Sequence, residues 1–461
     1  MPTALLERYF KISERGSSVK TEVLGGLTTF LTMAYIIVVN PAILSFAGIP
    51  TGPATVATVL TAVCGSLLMG LFANRPLAVA PYMGENAFVA FGLAALGIGW
   101  QQRLGAVFVS GIAFLLLSLL KIRPWLANSI SSSMKHSFGV GIGLFLALIG
   151  MYETGIVTSG ATGLPAEALL ATGTHFLRAP DVPLKIGNLR DPHALLAIFG
   201  FFLIVSLVYR RVKGAMLIGI AVTAAIGIAL GLGEAPHAVT ALPFVPPYDL
   251  APLFLKLDVA GVLKLSFLPI LLTLFLMSFL DTLGTLVGVG AAGGMLDEQG
   301  NFKDIERPMI VDATSCIFSA LVGSSTSGAF IESAAGIREG ARTGLASVVV
   351  ALLFACAIFF IPLLEPLQHL KFAYAPALMA VGLMMIGSIQ KIDLEDLTEA
   401  TPAFVTIAMM IFSYNIANGL TAGLVMYVLL KFGAGRFKDL NAGSLMLAAM
   451  CLIYFLFGIP H

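Results

Sequence analysis

Apolar positions along the chain gather into long runs separated by short polar stretches. A helix needs about 20 apolar residues to cross the hydrocarbon core of a bilayer. Runs of that kind, some of them short, fall near 23–46, 53–72, 78–94, 103–121, 137–152, 194–210, 214–232, 262–290, 309–323, 328–337, 342–364, 374–389, 402–417 and 418–432. The pattern predicts 14 helical segments. A last apolar stretch, 441–458, reads either as a surface-lying element or as one more span. Two segments break the pattern: the third, LAVAPYMGENAFVAF, and the tenth, GAFIESAAGI, are short or interrupted. Broken backbone at membrane depth is tolerated only where it lines a cavity or is buried in protein. A pair of such breaks at corresponding places points to a transporter's binding site.

The paired breaks imply an internal repeat. FLIVSLVYRRVKGAMLIGIAV (202–222) lines up with TIAMMIFSYNIANGLTAGLVM (406–426), with a Tyr, a Gly and a second Gly in the same order. Seven segments per copy is an odd number, so the second copy must run inverted. The expected fold class is an all-α polytopic membrane protein with a 7+7 inverted repeat. Arg75 follows segment two, Lys121, Arg123 and Lys135 follow four, and Arg210, Arg211 and Lys213 follow six. These loops share the side of the N-terminus, which the positive-inside rule makes cytoplasmic. Lys431, Arg436 and Lys438 agree if segment 14 ends there. Loops 153–193 and 233–261 then lie outside and read as solvated loops with some interfacial helix. The polar start, residues 1–22, reads as a cytoplasmic leader and not as a signal peptide.

Composition agrees. The 461 residues are 58% hydrophobic and 11% charged, against about 25% charged in soluble proteins; mean hydropathy is +0.96. The net charge of +1 argues against a nucleic-acid partner. Cys64, Cys316, Cys356 and Cys451 sit in apolar runs without metal or redox spacing. Trp100 and Trp125 lie at segment ends, where interfacial aromatics belong. No HExxH, GxSxG or phosphate-binding loop occurs, and His136, His175, His193, His237, His369 and His461 are scattered in loops or at ends. The expectation is a non-enzyme without metal or cofactor, driven by an ion gradient.

Three carboxylates stand out inside the segments or their breaks: Glu85, Asp281 and Glu332, with no Lys or Arg at comparable depth. A charge at that depth costs a few kcal/mol or more unless it meets a cavity, a partner or a ligand. Glu332 follows Phe330 and Ile331 at the break of segment ten, where a carboxylate can accept two hydrogen bonds from a planar ligand and Phe330 can stack on it. Capping of the nearby helix N-terminus is the other use of Glu332. Ser333, next in the chain, completes the binding candidates of this break. Asp281 has Gly284, Gly288 and Gly290 behind it, small residues that allow close helix approach; it is a binding or coupling candidate, or a carboxylate bonded to Thr282 or Thr285. Asn86 can read a heterocycle edge or close the broken backbone. Glu85 is a further coupling candidate, although helical spacing can turn it away from the site. Thr28, Thr29 and Thr32 read as helix packing.

At these residues the chain resembles a known family. ERYFKISERGSSVKTEVLGGLTTFLTMAYIIVVNPAIL, APYMGENAFVAF, DTLGTLVGVG and STSGAFIESAAGIREGARTGL are similar to stretches of the AzgA-like nucleobase permeases, within the nucleobase–cation symporter-2 superfamily. The resemblance runs from about residue 7 to 432. It implies a core domain of segments 1–4 (23–121) and 8–11 (262–364) and a gate domain of segments 5–7 (137–232) and 12–14 (374–432). The hydrophobic element 433–461 lies beyond both. It further implies import of a purine base (adenine, guanine or hypoxanthine) with H⁺ or Na⁺, elevator-like movement of the core, and often a homodimer through the gate. A uracil, xanthine or small-anion carrier on the same scaffold is the alternative. By motif position Glu332 would anchor the base, with Asp281 the second acidic group and Asn86 a polar contributor. Two positions depart from the family pattern: Ser278 stands where members often carry an acid, and Glu85 where many are apolar.

Overall fold

The computed structural model describes residues 2–120, 129–160, 162, 184–293, 295, 304–453 and 455. Lys121, Arg123, Trp125, His175 and His461 lie outside the described residues. Among the described residues, nine helical runs are long and apolar enough to cross a membrane: Val19–Ser45, Thr51–Leu71, Trp100–Leu119, Ser132–Glu153, Pro192–Tyr209, Leu265–Leu286, Gly344–His369, Lys371–Lys391 and Ile416–Gly433. They correspond to predicted segments 1, 2, 4, 5, 6, 8, 11, 12 and 14. The other predicted segments appear as shorter or broken elements.

In chain order the first elements are α1 (Pro2–Phe10), α2 (Val19–Met33), α3 (Ile36–Ser45) and α4 (Thr51–Leu71). Segment one is therefore two helices. Pro41 has no N–H to give the carbonyl of Ile37, one turn back, and Gln368 Nε2 donates to that oxygen instead, at 3.1 Å. Segment three is a strand, β1 (Val79–Pro81), then a short helix α5 (Met83–Ala87), a π-helical turn over Phe88–Gly92 and α6 (Leu93–Ala95). Next come α7 (Trp100–Leu119), α8 (Ser132–Glu153), the strands β2 (Val157–Ser159) and β3 (Leu184–Ile186), α9 (Pro192–Tyr209) and α10 (Ala215–Ala229). β2 and β3 pair antiparallel, and most of the 153–193 loop between them, with its expected interfacial helix, lies outside the described residues.

The second half runs α11 (Val259–Val262), α12 (Leu268–Gly293), α13 (Glu306–Val322), the strand β4 (Ser327–Ala329), α14 (Ser333–Arg338), α15 (Gly344–Ala357), α16 (Ile361–His369), α17 (Lys371–Met385), α18 (Leu397–Phe412), α19 (Ile416–Gly433) and α20 (Ala442–Ile453). The predicted boundary between segments 13 and 14 lies too late, because Asn415 caps α19 and ends the turn after α18. The helix α20 has 12 described residues, about 18 Å of rise against a hydrocarbon core of about 30 Å, and it packs along α19.

Two packed groups emerge. α2, α4, α7, α12, α13 and α15 contact one another, and so do α8, α9, α10, α17, α18 and α19. The central structural device is the meeting of the two breaks. β1 and β4 pair antiparallel, with Val79 opposite Ala329, Ala80 opposite Gly328 and Pro81 opposite Ser327. Strands of three residues leave most backbone groups without ladder partners, and buried groups of that kind must find others. Ser66 Oγ accepts from Val79 N at 3.0 Å, Ser333 Oγ accepts from Ala78 N at 3.0 Å, and Asp312 Oδ2 accepts from Ala329 N at 3.1 Å. Helices α4, α13 and α14 thus supply the bonds that a wider sheet would.

Candidate functional site

The strand crossing places both breaks at one spot. β4 leads through Phe330 and Ile331 to Glu332, which occupies the N-cap position of α14 without making a side-chain capping bond. Its Oε1 instead accepts from the hydroxyl of Tyr35, at 2.7 Å. Tyr35 sits at the kink between α2 and α3 and is 1% exposed, so the kink in segment one delivers a donor to the break in segment ten. The capping use of Glu332 is not realised by its side chain. Close approach of α2 and α14 sets this geometry: a Cβ on Gly336 would lie 2.3 Å from both Gly25 O and Thr29 Oγ1. Thr29 lies in that contact, and both Thr28 and Thr29 are buried, in keeping with packing.

Phe330 presents its ring parallel to that of Tyr82, with 4° between planes and 6.3 Å between centroids. Gly328 opposite makes room, since a Cβ there would meet the Tyr82 hydroxyl at 2.2 Å. Tyr82 OH pairs with Thr282 Oγ1 at 3.2 Å and donates to Asp312 Oδ2 at 3.4 Å. Ser333 is fully buried and holds the amide of Ala78, so it braces the crossing.

Asp281 lies on α12 within electrostatic reach of Glu332 and Glu85. Gly284, one turn further, does not serve a close helix approach as expected: it is exposed, and a Cβ there would meet nothing within 4 Å. Asp281 and Gly284 therefore share a helix face bordering open space. Glu85 is 1% exposed and is turned toward α12, where Ser278 Oγ donates to its Oε2 at 2.7 Å. Asn86 is buried and donates to Oδ1 of Asn40, whose own amide reaches Thr58 Oγ1 at 2.7 Å and Ser324 Oγ at 3.2 Å. That network joins α3, α4, α5 and the loop before β4.

Sequence reasoning missed a fourth carboxylate. Asp312 is fully buried on α13 and meets both the Tyr82 hydroxyl and the β4 backbone. It lies inside the predicted ninth segment, so the count of acids at depth was one short. Tyr35, Asn40 and Tyr82 were missed as well; only Asn40, polar and beside Pro41 in an apolar run, carried a local signal. Among the described residues two buried basic side chains occur at span ends. Arg103 caps the end of broken segment three, donating to Ile98 O at 2.7 Å and to Ala90 O at 3.3 Å. Lys431 lies beside Glu399 at 2.8 Å and Asp439 at 3.2 Å. Among the described residues neither hydrogen-bonds to the four carboxylates, and no cluster of His, Cys, Asp and Glu is arranged to hold a metal ion.

The xanthine/uracil permease model, described as a permease family, matches residues 20–422. The chain belongs to this permease family. It is 38% identical to the adenine permease AdeP of Escherichia coli strain K12 over 458 residues, covering 99% of this chain and 97% of that one. It is 34% identical to the guanine/hypoxanthine permease PbuO of Bacillus subtilis strain 168 over 451 residues, covering 96% and 99%. Among solved structures it is similar to the transmembrane domain of a cyanobacterium bicarbonate transporter, BicA, with a TM-score of 0.60, 16% identity and coverage of 88% of this chain and 97% of that one. That likeness bears out the 7+7 fold, and the sequence relatives bear out the expected kinship.

Proposed function

We propose that this permease imports purine nucleobases, adenine, guanine or hypoxanthine, by proton symport. The carrying observation is Glu332, held by the Tyr35 hydroxyl at the strand crossing, with the ring of Phe330 two residues before it. A carboxylate beside an aromatic face suits a neutral heterocycle with adjacent N–H donors. The names of AdeP and PbuO support the same substrate class. Asp281, Glu85 and Asp312 surround the crossing, and carboxyl groups at membrane depth are the usual carriers of a coupling proton. In this reading Glu332, Asp281, Asn86 and Phe330 contact the base, with Ser333 holding the break in place. The group of segments 1–4 and 8–11 is the core, which moves as an elevator against the gate of segments 5–7 and 12–14. The protein resides in the cytoplasmic membrane with its N-terminus inside, as a homodimer through the gate.

The test is uptake of labelled adenine, guanine and hypoxanthine into cells lacking their own base carriers, with and without a protonophore. Uncoupler-sensitive, Na⁺-independent accumulation of one base, lost in Glu332→Gln, is the expected result. Normal uptake by Glu332→Gln would remove Glu332 from the site, and accumulation of uracil or xanthine alone would replace the purine assignment.

A further inference from the structure

At the end of α4 the surface opens into a cleft of about 700 Å³ walled by Lys11, Arg15, Arg75 and Arg307, with Asp304 the one acidic residue among its described lining. The four cations come from three separate places: the chain after α1, the turn after α4 and the first turn of α13. They are brought together by folding, in a chain whose net charge is only +1. Arg75 Nη2 lies 3.4 Å from Asp304 and Lys11 Nζ 3.3 Å from Glu14, while Arg15 is spent on the carbonyl of Asn74 at 2.7 Å. Arg75 is held below its ordinary pKa, first by burial and then by Arg15, with Asp304 acting against that and Arg307 with it. Cations assembled this way create a local field that attracts an anion.

The mouth of the cleft is apolar. Leu71 and Phe72 close α4 and are 46% and 50% exposed, and the Tyr9 hydroxyl docks the leader there by donating to Leu71 O at 2.8 Å. An exposed apolar helix end beside a cationic recess matches the two parts of a phospholipid, with chains along the span and phosphate beyond its end. We propose that this cleft seats the phosphate headgroup of an anionic phospholipid from the adjoining leaflet, tying the leader to the ends of α4 and α13. Basic recesses at helix ends recognise such headgroups by charge and shape.

The experiment uses the full chain in nanodiscs of phosphatidylcholine with a minor fraction of phosphatidylglycerol, with tightly held lipid quantified by native mass spectrometry. The wild type is expected to retain phosphatidylglycerol above its bulk fraction. The double variant Lys11→Gln/Arg307→Gln, at two exposed positions, should lose about 25-fold in that retention, since each cation near an anionic headgroup contributes about 1 kcal/mol. Lys438→Gln, a cation elsewhere, should change nothing. Equal retention by wild type and double variant, or no preference over phosphatidylcholine, would overturn the proposal. Displacement of the lipid by inorganic phosphate or glycerol phosphate would overturn the lipid assignment in favour of a soluble anion.

Discussion

Ser278 donates a 2.7 Å hydrogen bond to Glu85, joining α12 to the broken third segment. These are the two positions that the sequence resemblance marks out as unusual, and the structure puts them in contact. Ser278→Ala would leave a buried carboxyl oxygen without its donor and should destabilise the protein by about 1–3 kcal/mol. Glu85→Gln still accepts that bond and should keep thermal stability. The pair of melting temperatures in detergent checks this; an undisturbed Ser278→Ala protein would show that the bond contributes nothing.

Tyr35 is the donor to Glu332, and its replacement isolates that bond. Tyr35→Phe keeps the ring in its buried place between α2 and α3. Loss of one hydrogen bond to a buried acid should lower kcat/KM for base uptake by roughly 5- to 100-fold, with expression unchanged. Concentration-dependent uptake by Tyr35→Phe and wild type would settle it, equal values removing Tyr35 from the site.

Glycines 336 and 284 should behave oppositely. Gly336→Ala forces a Cβ against Gly25 O, and overpacking of this kind costs about 1–3 kcal/mol. Gly284→Ala enters open space and should stay within about 0.5 kcal/mol of wild type, while altering uptake if that space receives substrate. Thermal melting beside uptake kinetics distinguishes the two.

Acid should weaken the turn before α18. Asp396 caps that helix, and the hydroxyl and amide of Thr398, then Arg436, hold its carboxyl down to about 2 from 3.8. A lowered folded-state pKa means that its contribution is complete above 3.8 and fades as pH falls through 2. Asp396→Asn keeps a capping acceptor but no charge. The melting-temperature difference between wild type and Asp396→Asn should therefore shrink with acidification; a constant difference would show that the charge does not carry it.

The sequence by itself determined the membrane character, the helical segments, the two breaks and the acids Glu85, Asp281 and Glu332, because each is written in local composition. A charge or a Pro–Gly run within 20 apolar residues is visible without any partner. Kinship with the permeases was likewise legible in four stretches. Only the tertiary structure decided which groups meet. The strand pairing of Val79–Pro81 with Ser327–Ala329 joins residues nearly 250 positions apart, and three-residue strands carry no alternation to announce it. Asp312 carries no local mark inside an otherwise ordinary helix, and its importance lies in the bond that it accepts from the Ala329 amide. Tyr35 and Tyr82 look like two more aromatics in apolar runs until folding aims their hydroxyls at carboxylates. Hydrophobic periodicity reports how far a residue lies from water; it holds no information on which buried polar group faces which, and that is set by backbone geometry at the kink and the breaks.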